Sequence, residues 1–227
     1  MKQFKCRASK GGILLTNDRS GKSMGDTAKT YCKEWLVSEI TGKEKEITSK
    51  YFSRGKSMEE KAIERAAKYY GCELVKNEIY LENEYFTGTY DAVTIDRVID
   101  TKVPFDAFTH PFFTTIVDKN YYTQLQIYME LTGLRKASLC YCLENGSEEQ
   151  IEKLSWKIAK QKDKDEPDME EWEEAEKQLS YDHLPCELRI KVFEFEYDEA
   201  FIAQAKQRVL DARKYIEEEL LTQINFK

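Results

Sequence analysis

Two hydrophobic periodicities alternate along the chain, and they predict helices and strands in turn. Apolar residues recur every three or four positions in the segments 26–40, 57–70, 118–131, 147–161 and 198–221, which is typical of helices with one buried face. Runs rich in Val, Ile, Tyr and Phe lie between them and predict strands at 73–81, 85–95, 98–103, 137–143 and 188–195. This order of elements predicts an α/β fold in which helices cover a sheet.

The composition indicates one globular domain spanning residues 1–227. The chain is 41% hydrophobic and contains only four prolines, which excludes the collagen-like and disordered classes. No apolar run approaches the roughly 18 residues of a membrane helix. Charged residues occupy the N-terminus, where a secretory signal has its apolar stretch. We therefore expect a cytoplasmic protein with no membrane partner.

The net charge of −7 argues, at face value, against a nucleic-acid partner. The charge is unevenly distributed, however. Residues 1–56 contain 13 Lys and Arg against 6 Asp and Glu, whereas residues 146–227 contain 13 against 22. The acidic excess is densest at 163–176, which predicts a helical insertion or a surface hairpin. The basic N-terminal segment remains able to meet phosphates.

The cysteines are scattered without C-x-x-C spacing, and we expect them to be reduced thiols. A chain of this length does not need disulfides to form a core. Cys140 and Cys142 fall on one face of a predicted strand, where small apolar side chains simply pack. Such spacing gives little support to a zinc or iron–sulfur site.

The stretch 87–102 contains the most informative group of polar residues. It predicts a hairpin with a two-residue turn at Asp96–Arg97. In that register the facing pairs, all on one face, are Ile95 with Val98, Val93 with Asp100, and Asp91 with Lys102. Carboxylates and an ammonium among apolar residues are costly to bury unless they pair or bind a metal.

Two explanations of this charged cluster compete. A structural salt bridge between Asp91 and Lys102 would explain one carboxylate and leave Asp100 unexplained. Carboxylate oxygens of this kind also suit Mg²⁺, which takes one or two of them together with water and phosphate oxygens. A lysine beside such a metal can orient or deprotonate an attacking water.

Two predicted helices each contribute an inward polar residue. In the helix 57–70, Glu59 shares the direction of the apolar residues, while Glu60 points away and fits a capping box with Ser57 as the cap. In the helix 118–131, Gln124 lies on the apolar stripe and Gln126 points to nearly the opposite side. We therefore expect Glu59 and Gln124 to be buried and Gln126 to be on the surface.

These motifs, in this order, resemble the PD-(D/E)xK nuclease superfamily. Within it, the similar segments are RGKSMEEKA at 54–62, GTYD at 88–91, DTK at 100–102 and YYTQLQ at 121–126. They resemble the lambda exonuclease and YqaJ-like viral recombinase (alkaline exonuclease) family, and the likeness covers residues 50–145 best. The resemblance implies a restriction-endonuclease-like core, with a central mixed β-sheet flanked by helices, an N-terminal helical segment and a C-terminal helix.

The resemblance also implies a role for each residue of the cluster. Asp91, Asp100 and the Thr101 carbonyl would bind Mg²⁺, with Mn²⁺ as a substitute, and Glu59 would bind it directly or through water. Lys102 would position or activate the water nucleophile. The remaining polar residue, Gln124, would orient the lysine or that water.

By the same resemblance, Arg7, Ser9 and Thr89 are weaker candidates for holding the 5′-phosphate of a DNA end. The implied function is a Mg²⁺-dependent exonuclease on double-stranded DNA ends, working 5′ to 3′ in recombination and encoded by a phage or prophage. The implied partners are further copies in a ring and a single-strand annealing protein. The alternatives are an endonuclease of the same fold, a DNA-binding module without catalysis, and an iron–sulfur nuclease, which needs four suitably placed cysteines.

Overall fold

The computed structural model describes residues 2–45 and 50–224, except for the side chains of residues 50–53. The helices within this part are α1 (Gly11–Leu14), α2 (Asp26–Thr41), α3 (Lys50–Tyr70), α4 (Lys119–Thr132), α5 (Glu148–Gln161), α6 (Met169–Gln178) and α7 (Glu199–Tyr215). The strands are β1 (Cys6–Arg7), β2 (Leu81–Glu82), β3 (Phe86–Gly88), β4 (Ala92–Val93), β5 (Arg97–Lys102), β6 (Lys136–Cys142) and β7 (Ile190–Glu196). A π-helical turn at Ile216–Leu220 continues α7. The predicted α/β fold is confirmed.

The strands of the described residues form two sheets. One has the order β1-β3-β2 and the other the order β4-β5-β6-β7. In the larger sheet β5 and β6 are parallel, while β4 and β7 run antiparallel to their neighbours, so the sheet is mixed as expected. Because β5 and β6 are central, their side chains are covered on both faces.

Helices cover the two faces of the larger sheet, and successive residues of β5 point alternately to them. Val98 packs in the cluster that includes Leu125 of α4 and Val209 of α7. Its neighbour Ile99 packs in the cluster that includes Ala62 of α3. Because strand side chains alternate, Asp100 and Lys102 share the face of Val98 and are directed towards α4.

The predicted strand 85–95 is divided between the two sheets. Its first part pairs in the smaller sheet as β3 and its last part in the larger sheet as β4, with Thr89, Tyr90 and Asp91 between them. The carbonyls at this junction accept hydrogen bonds from outside any strand ladder. Tyr128 Oη donates to Thr89 O, Asn77 Nδ2 to Tyr90 O, and Asn77 N to Asp91 O.

The predicted strand 73–81 was wrong over most of its length. Only Leu81–Glu82 forms a strand, and residues 73–80 run without ladder partners. Asn77 instead contacts the β3–β4 junction through its main chain and side chain. The alternation of apolar residues here does not mark a buried face, because Val75 and Ile79 are 72% and 65% exposed.

The register of the predicted hairpin was also wrong. Val93 lies opposite Val98, and Ala92 lies opposite Ile99. The turn therefore falls one residue earlier than Asp96–Arg97, and Ile95 is fully exposed at its tip.

The Thr94 side chain explains where the turn forms. Its hydroxyl donates to Asp96 Oδ1 and accepts from the backbone N–H groups of Asp96 and Arg97. A side chain that satisfies backbone groups in this way stabilises the turn that follows it. The predicted register assumed a turn at Asp96–Arg97 and took no account of these hydrogen bonds, so it missed the shift of the turn by one residue.

Helix α3 begins earlier than predicted, at Lys50, so Ser57 is an interior residue and not a cap. The Ser57 hydroxyl donates to Arg54 O instead. Arg54 is 3% exposed and donates to Pro104 O and Glu144 O. These bonds fix the first turns of α3, so the helix does not need to begin at the predicted capping box.

The acidic segment forms a helical insertion. Helix α6 begins with Asp168 as its cap, in a capping box with Glu171. Glu171 is buried, and Lys162 and Lys164 contact its carboxylate at 2.9 and 2.8 Å. These two lysines and their hydrogen bonds hold the pKa of Glu171 far below its usual range. The insertion is therefore an ordered part of the surface.

The cysteines of the described residues are all free, as predicted. Cys6, Cys32, Cys140 and Cys142 are buried, and burial raises the pKa of the Cys32 thiol to about 12. Neutral buried thiols of this kind act as small apolar side chains. Of the helices in the described part of the chain, none combines the length and the apolar composition needed to cross a membrane.

Gln126 was wrongly predicted to be on the surface, because it is fully buried. Its Nε2 donates to Glu196 O and its Oε1 accepts from Asp198 N, both at 2.8 Å. Helix α4 is enclosed all round from Thr123 to Met129, so its polar residues bond to other protein groups and not to water. Gln126 thus fixes the chain between β7 and α7.

We predict that Gln126→Ala lowers the free energy of unfolding by about 2 kcal/mol or more, because two buried backbone groups lose their partners. Urea denaturation followed by circular dichroism measures this change. The control is Gln178→Ala on α6, where an exposed amide donates to the Glu174 side chain. The control should change the free energy by less than about 0.5 kcal/mol. Equal losses in the two variants would contradict this role of Gln126.

Candidate active site

The predicted carboxylates and lysine meet at the C-terminal end of β5, beside the junction of the two sheets. Lys102 Nζ lies 2.5 Å from Asp100 Oδ2, so the two side chains form a buried ion pair. Asp91 Oδ2 accepts from Thr101 N at 2.6 Å and from Thr101 Oγ1 at 2.8 Å. The structure therefore brings Asp91, Asp100, Thr101 and Lys102 together.

The pairing within this cluster differs from the one predicted. The sequence predicted that Asp91 faces Lys102, but the Asp91 carboxylate accepts from Thr101, and the lysine pairs with Asp100. Asp91 still contributes to the electrostatics of Lys102, because its charge raises the pKa of that ammonium. The predicted cluster is present although the predicted register was wrong, because Asp100 and Lys102 share one face of β5 in either register.

Gln124 is buried, as predicted, and it links the cluster to α4. Its Nε2 donates to Asp100 Oδ1 at 3.3 Å and to Tyr128 Oη at 2.8 Å. Tyr128 Oη donates in turn to Thr89 O at 2.7 Å. A Cβ at Gly88 would lie 2.9 Å from the Tyr128 ring, so glycine permits this close approach.

Tyr128 is a site residue that the sequence interpretation missed. It lies one helical turn after Gln124, and that spacing places two side chains on the same face of a helix. The four-residue spacing from Gln124 could therefore have identified Tyr128, but an aromatic residue on an apolar stripe is usually assigned to the core. Removal of the hydroxyl would leave both Gln124 and the Thr89 carbonyl without this partner.

Glu59 was predicted to be buried, but on α3 it is only partly buried, and its carboxylate pairs with Lys76. Its side chain is 27% exposed, and Oε1 lies 3.3 Å from Lys76 Nζ. Glu59 is close enough to raise the pKa of Asp100, while Glu60 is exposed. Lys76 was not predicted, because it follows α3 in a segment that the sequence assigned to a strand.

Burial makes Asp100 an unusual carboxylate. Desolvation raises its pKa to about 6, Lys102 opposes the shift, and Asp91 and Glu59 add to it. For Lys102, burial favours the neutral amine, but Asp100 and Asp91 outweigh it and raise the pKa of the ammonium. The site thus holds three carboxylates and two ammonium groups, and the surplus is negative.

A divalent metal fits this donor set chemically. Carboxylate and carbonyl oxygens are the ligands of Mg²⁺ and Mn²⁺, and a buried carboxylate with a raised pKa is stabilised by a cation. The carboxylate oxygens of Glu59, Asp91 and Asp100 do not all lie within 4.8 Å of one another among the described residues. Asp100 Oδ2 is instead held by Lys102. A metal at this position would have to replace that ammonium.

A second group of acidic residues has a closer geometry but a structural explanation. Ligand atoms of Asp168, Glu170 and Glu171 all lie within 4.8 Å of one another. Lys164 contacts Asp168 and Glu171 at 2.8 Å, so lysines already neutralise this group. It caps helix α6 and lies apart from the residues that the sequence predicted.

The three candidates for binding a 5′-phosphate are exposed. Arg7 lines a groove of about 800 Å³ between the N-terminal segment and α2, whereas Ser9 and Thr89 are outside its lining. Arg7 Nη1 lies 3.6 Å from Glu44 Oε2, an exposed ion pair. The Thr89 carbonyl, and not its hydroxyl, has a partner in the site, namely Tyr128.

The groove is lined by charged residues of both signs and by aromatic rings. Its basic lining residues are Lys2, Lys5, Arg7, Lys10 and Lys45, and Trp35 and Tyr80 also line it. The acidic lining residues are Glu34, Glu39, Glu44 and Glu82, which nearly balance this charge. One of them, Glu82, contacts Lys5 at 3.2 Å. Thr87, which also lines the groove, lies in β3, four residues before Asp91.

No protein-family model and no curated protein matches the sequence. The structure is similar to that of a phage-related exonuclease from Haemophilus somnus 129PT, with a TM-score of 0.78 and 25% identity over 98% of each chain. It is also similar to the alkaline exonuclease LHK-Exo from Laribacter hongkongensis, with a TM-score of 0.65 and 16% identity over 97% of this chain and 95% of the other.

A further structure of LHK-Exo contains dAMP. It has a TM-score of 0.67 and 18% identity, and covers 96% of this chain and 91% of that one. The likenesses extend over nearly the whole length of all three chains. They agree with the resemblance found in the sequence motifs.

We predict that the Asp100 carboxyl titrates near pH 6 in metal-free protein. Lys102→Ala should raise this pKa further, because the ammonium favours the charged carboxylate. Asp91→Asn should lower it, because a like charge is removed. Carbon-13 NMR of the side-chain carboxyls measures these shifts, with Asp182 as an internal reference whose pKa is held low by Arg189. An Asp100 pKa below 4, or no change in Asp91→Asn, would contradict the charge arrangement described above.

Proposed function

Because the chain has the fold of the phage-related and alkaline exonucleases, we propose that it is a divalent-metal-dependent exonuclease that hydrolyses phosphodiester bonds at double-stranded DNA ends. The observation that carries this proposal is the group Asp91, Asp100 and Lys102, which meets at one end of β5 in that fold. The proposal takes residues 1–227 as one catalytic domain.

In the proposed mechanism Asp91, Asp100 and the Thr101 carbonyl would hold the metal, and Glu59 would contribute directly or through water. A bound Mg²⁺ or Mn²⁺ supplies charge that polarises the scissile phosphate and lowers the pKa of a water. Gln124 keeps Asp100 in place through Oδ1 and leaves Oδ2 for a cation. Tyr128 keeps Gln124 in place, so both are positioning residues.

Lys102 changes its role when Asp100 binds a metal. In the free protein its ammonium neutralises Asp100. With a cation held by the carboxylates, Lys102 Nζ would be free to donate to the phosphate or to the attacking water, and it would offset the charge that develops on the phosphate. Its side chain is 24% exposed, which leaves a path to the substrate side of the cluster. Lys102 Nζ also lies over the Tyr121 ring, 5.1 Å from the ring centroid.

The groove at the N-terminal segment is the proposed path of the DNA strand. Its ion pairs, such as Arg7 with Glu44, are exposed and therefore weak, so phosphates can replace the acidic partners. Trp35 and Tyr80 offer faces on which bases can stack. LHK-Exo with bound dAMP is a precedent for a deoxynucleotide on this fold.

The finer parts of the proposal rest on the family resemblance. They are 5′ to 3′ polarity, a role in phage-type recombination, a ring of identical subunits and a single-strand annealing partner. A cytoplasmic location and a phage or prophage origin belong to the same set. The net charge of −7 does not argue against DNA binding. The three acidic residues of the site are proposed metal ligands, and many of the other acidic residues lie in the C-terminal third of the chain.

We predict that wild-type protein releases nucleotides from linear duplex DNA with Mg²⁺ or Mn²⁺ and not with EDTA. Lys102→Ala and Asp100→Asn should each reduce the rate by about 10²–10⁴-fold, because they remove a charge at the reacting phosphate. The control is Lys136→Ala at the opposite end of the adjacent strand β6, which should keep the wild-type rate. Protein that binds DNA but releases nothing with either metal would support a DNA-binding module without catalysis.

A second prediction concerns DNA ends. Linear duplexes with a 5′-phosphate should be degraded faster than those with a 5′-hydroxyl or a 3′-phosphate, and a closed circle should stay intact. Arg7→Gln should slow degradation of the 5′-phosphate substrate by about tenfold, since one charge-assisted hydrogen bond contributes about 1.5 kcal/mol or more. Gel analysis of end-labelled substrates measures the rates. Linearisation of the circle would favour an endonuclease of the same fold.

A further inference from the structure

Lys76 is placed beside the candidate metal ligands by an anchored loop. It lies in the extended segment 73–80, and the next residue, Asn77, bonds directly to the β3–β4 junction. Asn77 N donates to Asp91 O at 2.7 Å, and Asn77 Nδ2 donates to Tyr90 O at 3.1 Å. The backbone at Lys76 is therefore held next to Asp91.

The Lys76 side chain is partnered in the free protein but remains accessible. Nζ lies 3.3 Å from Glu59 Oε1, and the lysine and glutamate side chains are 36% and 27% exposed. Glu59 is the main cause of the raised pKa of Lys76, and the nearby Glu60 and Glu78 add to it. The ammonium thus lies on the open side of the cluster, whereas Lys102 lies on the inner side with Asp100.

We propose that Lys76 is a substrate-positioning residue that exchanges partners: it neutralises Glu59 in the free protein and binds a DNA backbone phosphate once a divalent cation occupies Glu59. This inference rests on the proposed function. A divalent ion and an ammonium repel each other at one carboxylate, so metal binding weakens the Glu59–Lys76 pair. The flexible Lys76 side chain can then reorient towards the nearest strong negative charge.

The position of Lys76 favours a phosphate of the strand being cut. The loop that carries it is bonded to Asp91, so a phosphodiester that reaches the metal passes close to this ammonium. Glu60 and Glu78 are the competing partners, and both are exposed acidic residues whose pairing with a lysine contributes little. The other protein–DNA contacts would hold a DNA phosphate near Lys76, so its pairing with the lysine would be stronger than that of these exposed carboxylates.

The first test measures DNA binding without hydrolysis. Fluorescence anisotropy of a 5′-phosphorylated duplex is recorded in Ca²⁺ and in EDTA, at several salt concentrations, for wild type, Lys76→Gln and the control Lys68→Gln on α3. In Ca²⁺, Lys76→Gln should weaken binding by about 5–10-fold and reduce the salt slope by about 0.9, as expected for one lost phosphate contact. In EDTA the slope should not change. The exposed Lys68 control should match wild type in both conditions.

The second test frees Lys76 without a metal. Glu59→Gln removes the partner charge, so DNA binding in EDTA should become stronger and should now depend on Lys76. The double variant Glu59→Gln/Lys76→Gln should lose this gain. In Mg²⁺, Lys76→Gln in the otherwise wild-type chain should raise KM by about 5–10-fold and change kcat much less, because the lysine holds substrate and does not touch the reacting atoms.

The outcomes separate this inference from the proposed function. If wild type degrades DNA and Lys76→Gln matches Lys68→Gln in Ca²⁺, then Lys76 does not contact phosphate and the inference is wrong. An equal loss of binding in Ca²⁺ and EDTA would also overturn it, because no exchange of partners takes place. If wild type neither binds nor degrades duplex DNA with any of these ions, both the inference and the proposed function are wrong.

Discussion

The ion pair between Asp100 and Lys102 is the interaction on which the site depends. Asp100 is 1% exposed in the middle of a mixed sheet, where an unpaired carboxylate would be costly. Lys102 neutralises one of its oxygens and Gln124 donates to the other. A buried ion pair adds little stability by itself. Its placement therefore supports the proposed role of the site.

The surrounding architecture serves to hold this carboxylate. Strand β5 is central, so its backbone is fixed by neighbours on both sides. Helix α4 crosses above it and brings Gln124 and Tyr128 on one face. Tyr128 then bonds to Thr89, where the chain leaves the smaller sheet and enters the larger one. Asp91 lies in the same junction between β3 and β4. This junction therefore positions Asp91 directly and helps to position Asp100 through Tyr128 and Gln124.

Much of this could be predicted from the sequence, because it follows from periodicity and short spacing. Asp100 and Lys102 are two residues apart in a strand and must share a face, whatever the register of the hairpin. Gln124 lies on an apolar stripe and is buried for that reason. These local rules predicted the helices, the α/β fold and most members of the cluster.

The errors have a common physical origin, which is hydrogen bonding between side chains and backbone groups. Gln126 is buried because β7 and α7 offer it partners about seventy positions away. The hairpin turn shifted because the Thr94 hydroxyl bonds to the backbone beyond it. Residues 73–80 read as a strand, but Asn77 bonds to the junction and leaves Val75 exposed. No periodicity within a segment contains this information.

The central claim is that Asp91 and Asp100 hold a divalent cation in place of Lys102. The most direct measurement is anomalous diffraction from crystals of the protein grown with Mn²⁺. The account predicts a peak about 2.0–2.3 Å from carboxylate oxygens of both aspartates, with Lys102 Nζ moved away from Asp100 Oδ2. A peak at Asp168, Glu170 and Glu171 alone, with the Asp100–Lys102 pair intact, would contradict it.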